Sequence, residues 1–211
     1  MKNSENGRSM IEMMGVLAVI GVLSTAGISG YIKMMAQYKI NKAVEQIEQI
    51  SAKLSTIGSS VESYEGLNNK SAVKSDAVPS EAIIGDGTNL ENPFGGKIVI
   101  AAAPLLAAND NQAYTIIYTD LPEDACIALG SLEWNTNSNF VGIGIAKSES
   151  TLNSSSVLPK ILQRCQGRGP SGEYLYACSE GSNITFPISL SRVADTCNCS
   201  DDACAIALKY F

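Results

Sequence analysis

From Met13 to Ile32 the sequence carries no charged side chain, and apolar residues then return at every third or fourth position: Ile40, Val44, Ile47, Ile50, Leu54, Ile57 and Val61. As a helix, the uncharged stretch would rise about 30 Å, the thickness of a bilayer's hydrocarbon core. The spacing that follows puts its apolar residues on one helical face, while Lys39, Lys42, Glu45, Glu48 and Lys53 mostly fill the rest. One helix from about Ser9 to near Gly58 or Gly66 is the economical reading, apolar all round in its first half and amphipathic in its second. The first half suits lipid or other copies of itself, and the second packs under the rest of its own chain. Gly15, Gly21, Gly27 and Gly30 each cost that helix up to about 1 kcal/mol relative to alanine, and they let another helix approach closely.

Beyond the helix the periods shorten. Residues 66–80 are rich in Asn, Ser, Lys and Gly and read as a surface loop. Asn92-Pro93-Phe94-Gly95-Gly96 predicts a tight turn into a strand from Ile98 to Ala103, and Tyr114 to Tyr118 predicts the next strand from its β-branched and aromatic residues. Asp120-Leu121-Pro122-Glu123 predicts a helix with Asp120 as N-cap and Glu123 at the capping-box position, running to Gly130 and carrying Cys126. Phe140 to Ile145 alternates large and absent side chains, as in a strand with one apolar face. Gly142 and Gly144 lack the third glycine and the helix start of a nucleotide loop. Ser156 to Cys165 predicts a short helix, and Cys204 to Phe211 a last strand with Cys204, Ile206, Leu208 and Tyr210 inward. Ile184 to Leu190 is a candidate strand that Pro187 confines to an edge or a break. A long helix followed by antiparallel strands gives the α+β class: a long N-terminal helix packed on an antiparallel sheet head that carries disulfides.

The 211 residues leave room for one sizeable domain beyond the N-terminal segment, and 45% apolar content is enough for its core. Residues 1–66 hold six basic and six acidic side chains, so the whole net charge of −6 lies in residues 67–211. An acidic head repels phosphate, which argues against nucleic acid as a partner of its surface. Cys126, Cys165, Cys178, Cys197, Cys199 and Cys204 all lie in the last 90 residues, as expected for a head that folds in an oxidising space. Six cysteines allow fifteen pairings, and the sequence does not choose among them. A metal cluster at Cys197-Asn198-Cys199 with Cys204 is not expected, since the spacing is not Cys-x-x-Cys and the chain has no histidine. Asp201-Asp202 reads as a solvated turn rather than a Ca²⁺ site. Without histidine there is no Ser-His-Asp or Cys-His arrangement, and no cofactor motif is present, so the chain reads as a non-enzyme.

Glu12 is the one charge inside the apolar run, and it stands five residues after Gly7. A carboxylate at membrane depth is costly and calls for a cation. Cleavage after Gly7 would supply one, by freeing the α-amino group of Arg8 and making Glu12 the fifth residue of the new chain. A short polar leader ending in Gly7, a Glu at the fifth position after it and an apolar helix together resemble the processing motif of type IV pilins and pseudopilins. The turn Asn92-Pro93-Phe94-Gly95-Gly96 is similar to one before the first head strand of type IVb pilins. Arg8 stands where the family more often has Phe or Met, and no proline breaks the stretch Ser24 to Gly30 as it often does in the family.

The resemblance implies a domain plan of a cleaved leader 1–7, an apolar transmembrane and filament-core half 8–33, an amphipathic half 34–65 and a head 66–211, itself divided into a loop region 66–96 and a sheet with the cysteine-rich region 97–211. It implies a prepilin peptidase that cuts after Gly7 and methylates the new N-terminus, an inner-membrane assembly platform and an ATPase. It also implies a helical homopolymer in which Glu12 meets a neighbour's N-terminal amine. The subunit would sit in the inner membrane with its head in the periplasm and then pass to a surface pilus. In the family a bridge near the C-terminus closes a variable surface region, which points to Cys126 and the group Cys197 to Cys204. In a filament, local loosening of the helix is expected around Gly21 to Gly30, with an unbroken helix in the isolated subunit. A minor pilin or secretion pseudopilin is the alternative within the family, and a surface-displayed adhesin or DNA-uptake module the alternative of another class.

Overall fold

The computed structural model describes residues 10–105, 111–134, 139–148, 174–178, 187–199 and 203–211. The chain divides into two compact units, one ending at Tyr38 and one running from Lys39 to Phe211. Helix α1 (Met10–Gly58) supplies all described residues of the first unit and the opening element of the second. It is unbroken through Gly21 to Gly30 and stops at Gly58, the earlier of the two ends expected.

The second unit continues with α2 (Asn69–Lys74), β1 (Ile83–Ile84), β2 (Asn89–Glu91), β3 (Lys97–Ala103), β4 (Ala113–Leu121), α3 (Glu123–Gly130), β5 (Phe140–Ala146), β6 (Tyr174–Cys178), α4 (Leu190–Thr196) and β7 (Cys204–Tyr210). The seven strands form one antiparallel sheet in the order β1-β2-β3-β4-β7-β5-β6. The last strand in the chain therefore lies inside the sheet. Tyr114 and Tyr118 of β4 pair with Tyr210 and Ile206 of β7, and Ile143 of β5 pairs with Leu208. The strands expected over Ile98–Ala103, Tyr114–Tyr118, Phe140–Ile145 and Cys204–Phe211 are present as β3, β4, β5 and β7.

The core lies between one face of α1 and one face of this sheet. Ala43, Ile47, Ile50 and Leu54 are fully buried there with Ile98, Ile100, Ile116, Ile206 and Leu208. Each large aliphatic side chain so removed from water contributes about 1.5–3 kcal/mol. Polar groups fix the register of the helix on the sheet. The Tyr114 hydroxyl donates to the Ser51 carbonyl at 2.9 Å and accepts from Ser55 Oγ at 2.9 Å, and the Tyr118 hydroxyl donates to Gln46 Oε1 at 3.3 Å. From the loop after α1, the Tyr64 hydroxyl donates to the Leu54 carbonyl at 3.4 Å. Tyr210 stacks on Tyr114 with ring centroids 5.6 Å apart and takes the edge of Phe140 at 5.5 Å. Among the described residues no buried side-chain polar atom lacks a partner.

The turn before β3 is built as its sequence suggests. Asn92 is buried; its Oδ1 accepts from the amides of Phe94 and Gly96 at 2.9 and 3.2 Å, and its Nδ2 donates to the Thr119 carbonyl at 2.8 Å. Gly95 has φ +95°, and a Cβ on Gly96 would collide with the Thr119 carbonyl oxygen.

Four expectations are corrected. Residues 66–80 are not a plain surface loop: Asn68 caps α2, and Ala72, Ala77 and Val78 are buried against the core. Asn69 of α2 accepts from the Ile100 amide at 2.7 Å and donates to the Ile98 carbonyl at 3.0 Å, completing backbone groups of β3. Asp120 is not an N-cap: it belongs to β4 at φ +54°, next to a register irregularity, and α3 starts after Pro122 without a side-chain cap. The candidate strand ending at Leu190 fails there, because Leu190 opens α4; residues 184–186 and the helix expected at 156–165 lie outside the described residues. The core-facing set of β7 is as expected, but Ala205, Ala207 and Lys209 on its other face are buried too, with Lys209 Nζ donating to the Pro104 carbonyl at 2.6 Å.

Burial pushes the phenols of Tyr114, Tyr118 and Tyr210 well above their ordinary value of 10. Above pH 10 an unfolded chain would release protons that the folded chain keeps, so stability is complete below that pH and falls as pH rises. The slope approaches about 1.4 kcal/mol per pH unit for each tyrosine well above pH 10 and averages about half of that between about pH 9 and about pH 11, or about 2 for the three together. Urea unfolding between about pH 9 and about pH 11 reads this slope, and Tyr118→Phe should remove about one third of it. An unchanged slope in that variant would contradict the burial of this phenol.

Candidate functional site

Two places combine unusual chemistry with defined geometry: the first half of α1 and the cysteines around β7. Gly7 and Arg8 lie outside the described residues, whereas Glu12 occupies the first turn of α1 with its side chain exposed. A carboxylate in the first turn of a helix is favoured by the positive end of the helix dipole. The large apolar side chains that follow are exposed: Leu17 is 65% accessible, Leu23 67% and Ile32 61%. Their mean hydropathy, 1.8 over the most apolar 18 residues, is that of a helix able to cross a membrane, and none of that window is buried.

Two details suit this segment to an apolar surrounding. Thr25 Oγ1 donates to the Val22 carbonyl at 2.9 Å and Ser29 Oγ to the Thr25 carbonyl at 2.8 Å, so both hydroxyls are satisfied within the helix. A Cβ placed on Gly15, Gly21, Gly27 or Gly30 would meet nothing within 4 Å. Among the described residues none packs closely enough to require these glycines, although each weakens the helix.

In the second unit, Cys126 of α3 is bridged to Cys197, the residue after α4, across 71 positions with the α-carbons 5.8 Å apart. Cys199 is bridged to Cys204, the first residue of β7, with the α-carbons 5.6 Å apart. Cys178 ends β6, and Cys165 lies outside the described residues, as do Asp201 and Asp202. The sulfurs of Cys126, Cys197 and Cys204 lie within 4.8 Å of one another, but atoms shared in disulfides are not thiolate ligands. Helices α3 and α4 meet closely, since a Cβ on Gly130 would press on Val193 Cγ1 at 2.7 Å and Ile145 Cδ1 at 2.6 Å. The long bridge fastens a contact that is already dry.

Perturbed carboxylates outside these places have structural explanations. Glu81 is held below the usual carboxylate range by a backbone amide and by Lys42, whose ammonium is 3.1 Å away. Asp86 is lowered by the amide and side chain of Thr88. Neither is paired with a second perturbed carboxylate among the described residues, and the charge of Glu81 adds to the burial that keeps the Tyr118 phenol protonated. Sequence reasoning missed the hydroxyl contacts of Tyr114 and Tyr118 with α1, because nothing local in a strand marks which tyrosine will meet a helix backbone.

A family profile described as PilS N terminal matches residues 37–172, well over half of the chain. The chain belongs to the PilS N-terminal pilin family. It is 27% identical over 148 residues to the major structural subunit of bundle-forming pilus from Escherichia coli O127:H6, a match that spans 69% of this chain and 74% of that one. Among solved structures it is similar to TcpA, a type IV pilin from Vibrio cholerae El Tor biotype, with a TM-score of 0.57 at 15% identity over 82% of this chain and 99% of the other. It is also similar to the type IVb pilin from Salmonella typhi, with a TM-score of 0.52 at 14% identity over 81% and 98%. These likenesses show the fold, and with the family match they make the chain a type IVb-like pilin.

Removing the long bridge with Cys126→Ala and Cys197→Ala together should lower stability by about 2–5 kcal/mol, since the cross-link closes a long loop in the unfolded chain. Urea unfolding of the double variant checks this; a midpoint equal to that of the parent would show that the packing of α3 on α4 suffices.

Proposed function

We propose that this pilin is the structural subunit of a type IV pilus-like filament, held in the bacterial inner membrane by residues 8–33 with its head in the periplasm, and then polymerised through α1. The observation that carries this reading is the exposed apolar helix half with a carboxylate in its first turn and four glycines where an added Cβ would meet none of the described residues within 4 Å. In a homopolymer, neighbouring helices bury that surface and the glycines let them approach closely. The name of the E. coli relative, a major structural subunit, favours the main subunit over a minor pilin or a pseudopilin. Adhesion and DNA uptake have no site among the described residues that favours them.

Prepilin peptidase cuts after Gly7, and the new amine of Arg8 becomes the partner of Glu12 on an adjacent copy. An unpaired acid within a membrane helix is costly, so pairing favours entry into the fibre. The assembly platform and ATPase are the partners that the family membership implies. The head, 66–211, faces outward on the fibre, and the disulfides protect it there.

Glu12→Val should leave membrane insertion intact and abolish filaments, read by fractionation and by electron microscopy of sheared cells; normal piliation would refute the assembly role. Intact-mass measurement of the sheared fraction from the parent strain should give a chain that begins at Arg8, carries one N-methyl group and dominates the fraction. A mass that retains residues 1–7 would refute processing at Gly7.

A further inference from the structure

The two bridges form one cluster. The sulfurs of Cys126 and Cys197, which share one bridge, and of Cys204, which belongs to the other, lie within 4.8 Å of one another. Those three residues are fully buried, whereas Cys199 is half-buried. The backbone adds a second, separate observation. The Cys199 amide donates to the Cys197 carbonyl at 2.8 Å and closes a three-residue γ-turn. Such a turn brings its end residues close together, and a disulfide spans α-carbons up to about 6.8 Å apart. Cys197 and Cys199 therefore stand at bridging distance although each is bonded elsewhere, and Cys204 Sγ lies 3.2 Å from the Cys197 carbonyl oxygen.

We propose that these four cysteines form a thiol–disulfide exchange centre, in which the pairing Cys126–Cys197 with Cys199–Cys204 interconverts with Cys126–Cys204 and Cys197–Cys199. The co-reactant is an external thiolate. It attacks Cys199 Sγ, forming a mixed disulfide and expelling Cys204 as a thiolate beside the other bridge. The Cys204 thiolate attacks Cys126 Sγ; the Cys126–Cys204 bond forms, the Cys126–Cys197 bond breaks, and Cys197 leaves as a thiolate. Cys197 then attacks the mixed disulfide at Cys199, closes the Cys197–Cys199 bond and releases the external thiolate. Two disulfides are present before and after, nothing is oxidised or reduced overall, and the thiol acts as a catalyst. The exchange moves the anchor of α3 from the end of α4 to the first residue of β7, the strand that joins the two parts of the sheet.

The test uses the purified full-length protein with substoichiometric reduced glutathione, an acid quench, and digestion by trypsin together with a protease that cuts before Asp. In the pairing seen here the peptides 124–147, 195–200 and 202–209 stay linked as three. In the exchanged pairing 195–200 is released alone with an internal bridge. We expect this peptide to accumulate at a rate proportional to glutathione and about tenfold slower for each pH unit below the thiol's pKa. Its absence at every glutathione concentration overturns the proposal, as does a pairing with Cys165 or Cys178 in its place. Cys199→Ser gives an independent arm that needs no added thiol and keeps the long bridge available. It should show Cys126 divided between Cys197 and Cys204, and a bridge only to Cys197, with Cys204 alone alkylated, overturns the proposal.

Discussion

Everything in the second unit depends on how the amphipathic half of α1 seats on the sheet. The apolar contact of Ala43, Ile47, Ile50 and Leu54 with strand side chains supplies the driving force, but apolar contact alone would let the helix slide or turn. The tyrosine hydroxyls remove that freedom. Tyr114 reaches Ser51 and Ser55, and Tyr118 reaches Gln46, so a displaced helix would leave buried hydroxyls unpaired. Helix position is thus set by polar contacts within an apolar interface.

The sheet's own integrity turns on β7. It lies between β4 and β5, so the C-terminal strand joins what would otherwise be separate sets, and its stacked Tyr210 links the aromatic groups of both neighbours. A strand that arrives last in the chain and pairs on both sides pays a large loop-closure cost. The bridges at Cys197 and at Cys199 to Cys204 lower that cost by fixing the approach to β7. The same crowding that secures the strand also brings the sulfurs of two bridges into one cluster.

The two halves of α1 divide the work. The amphipathic half is satisfied by its own unit, while the apolar half carries surface that needs lipid or other helices, with its hydroxyls already paired and its glycines open. Membership of the PilS N-terminal family places that surface in a pilin.

Elements specified by near neighbours were legible in the sequence. The helix follows from spacings of three and four between Ile40 and Ile57, the turn at Asn92 to Gly96 from residues that supply an Asx bond and a positive φ, and β3, β4, β5 and β7 from β-branched and alternating runs. Where a local signal and a distant contact competed, the distant contact won. Asp120 has the composition of an N-cap but is held in the irregular end of β4, and the polar-looking stretch 66–80 folds because Ala72, Ala77 and Val78 find the core and Asn69 completes β3. Sequence alone determined the long two-part helix, the α+β class and the Asn92 turn, because each rests on residues within a few positions of one another. Only the tertiary structure decided that β7 lies inside the sheet with both faces covered, which tyrosines hold the helix, and that Cys126 meets Cys197. Those choices depend on which distant segments share space, and no local period encodes them.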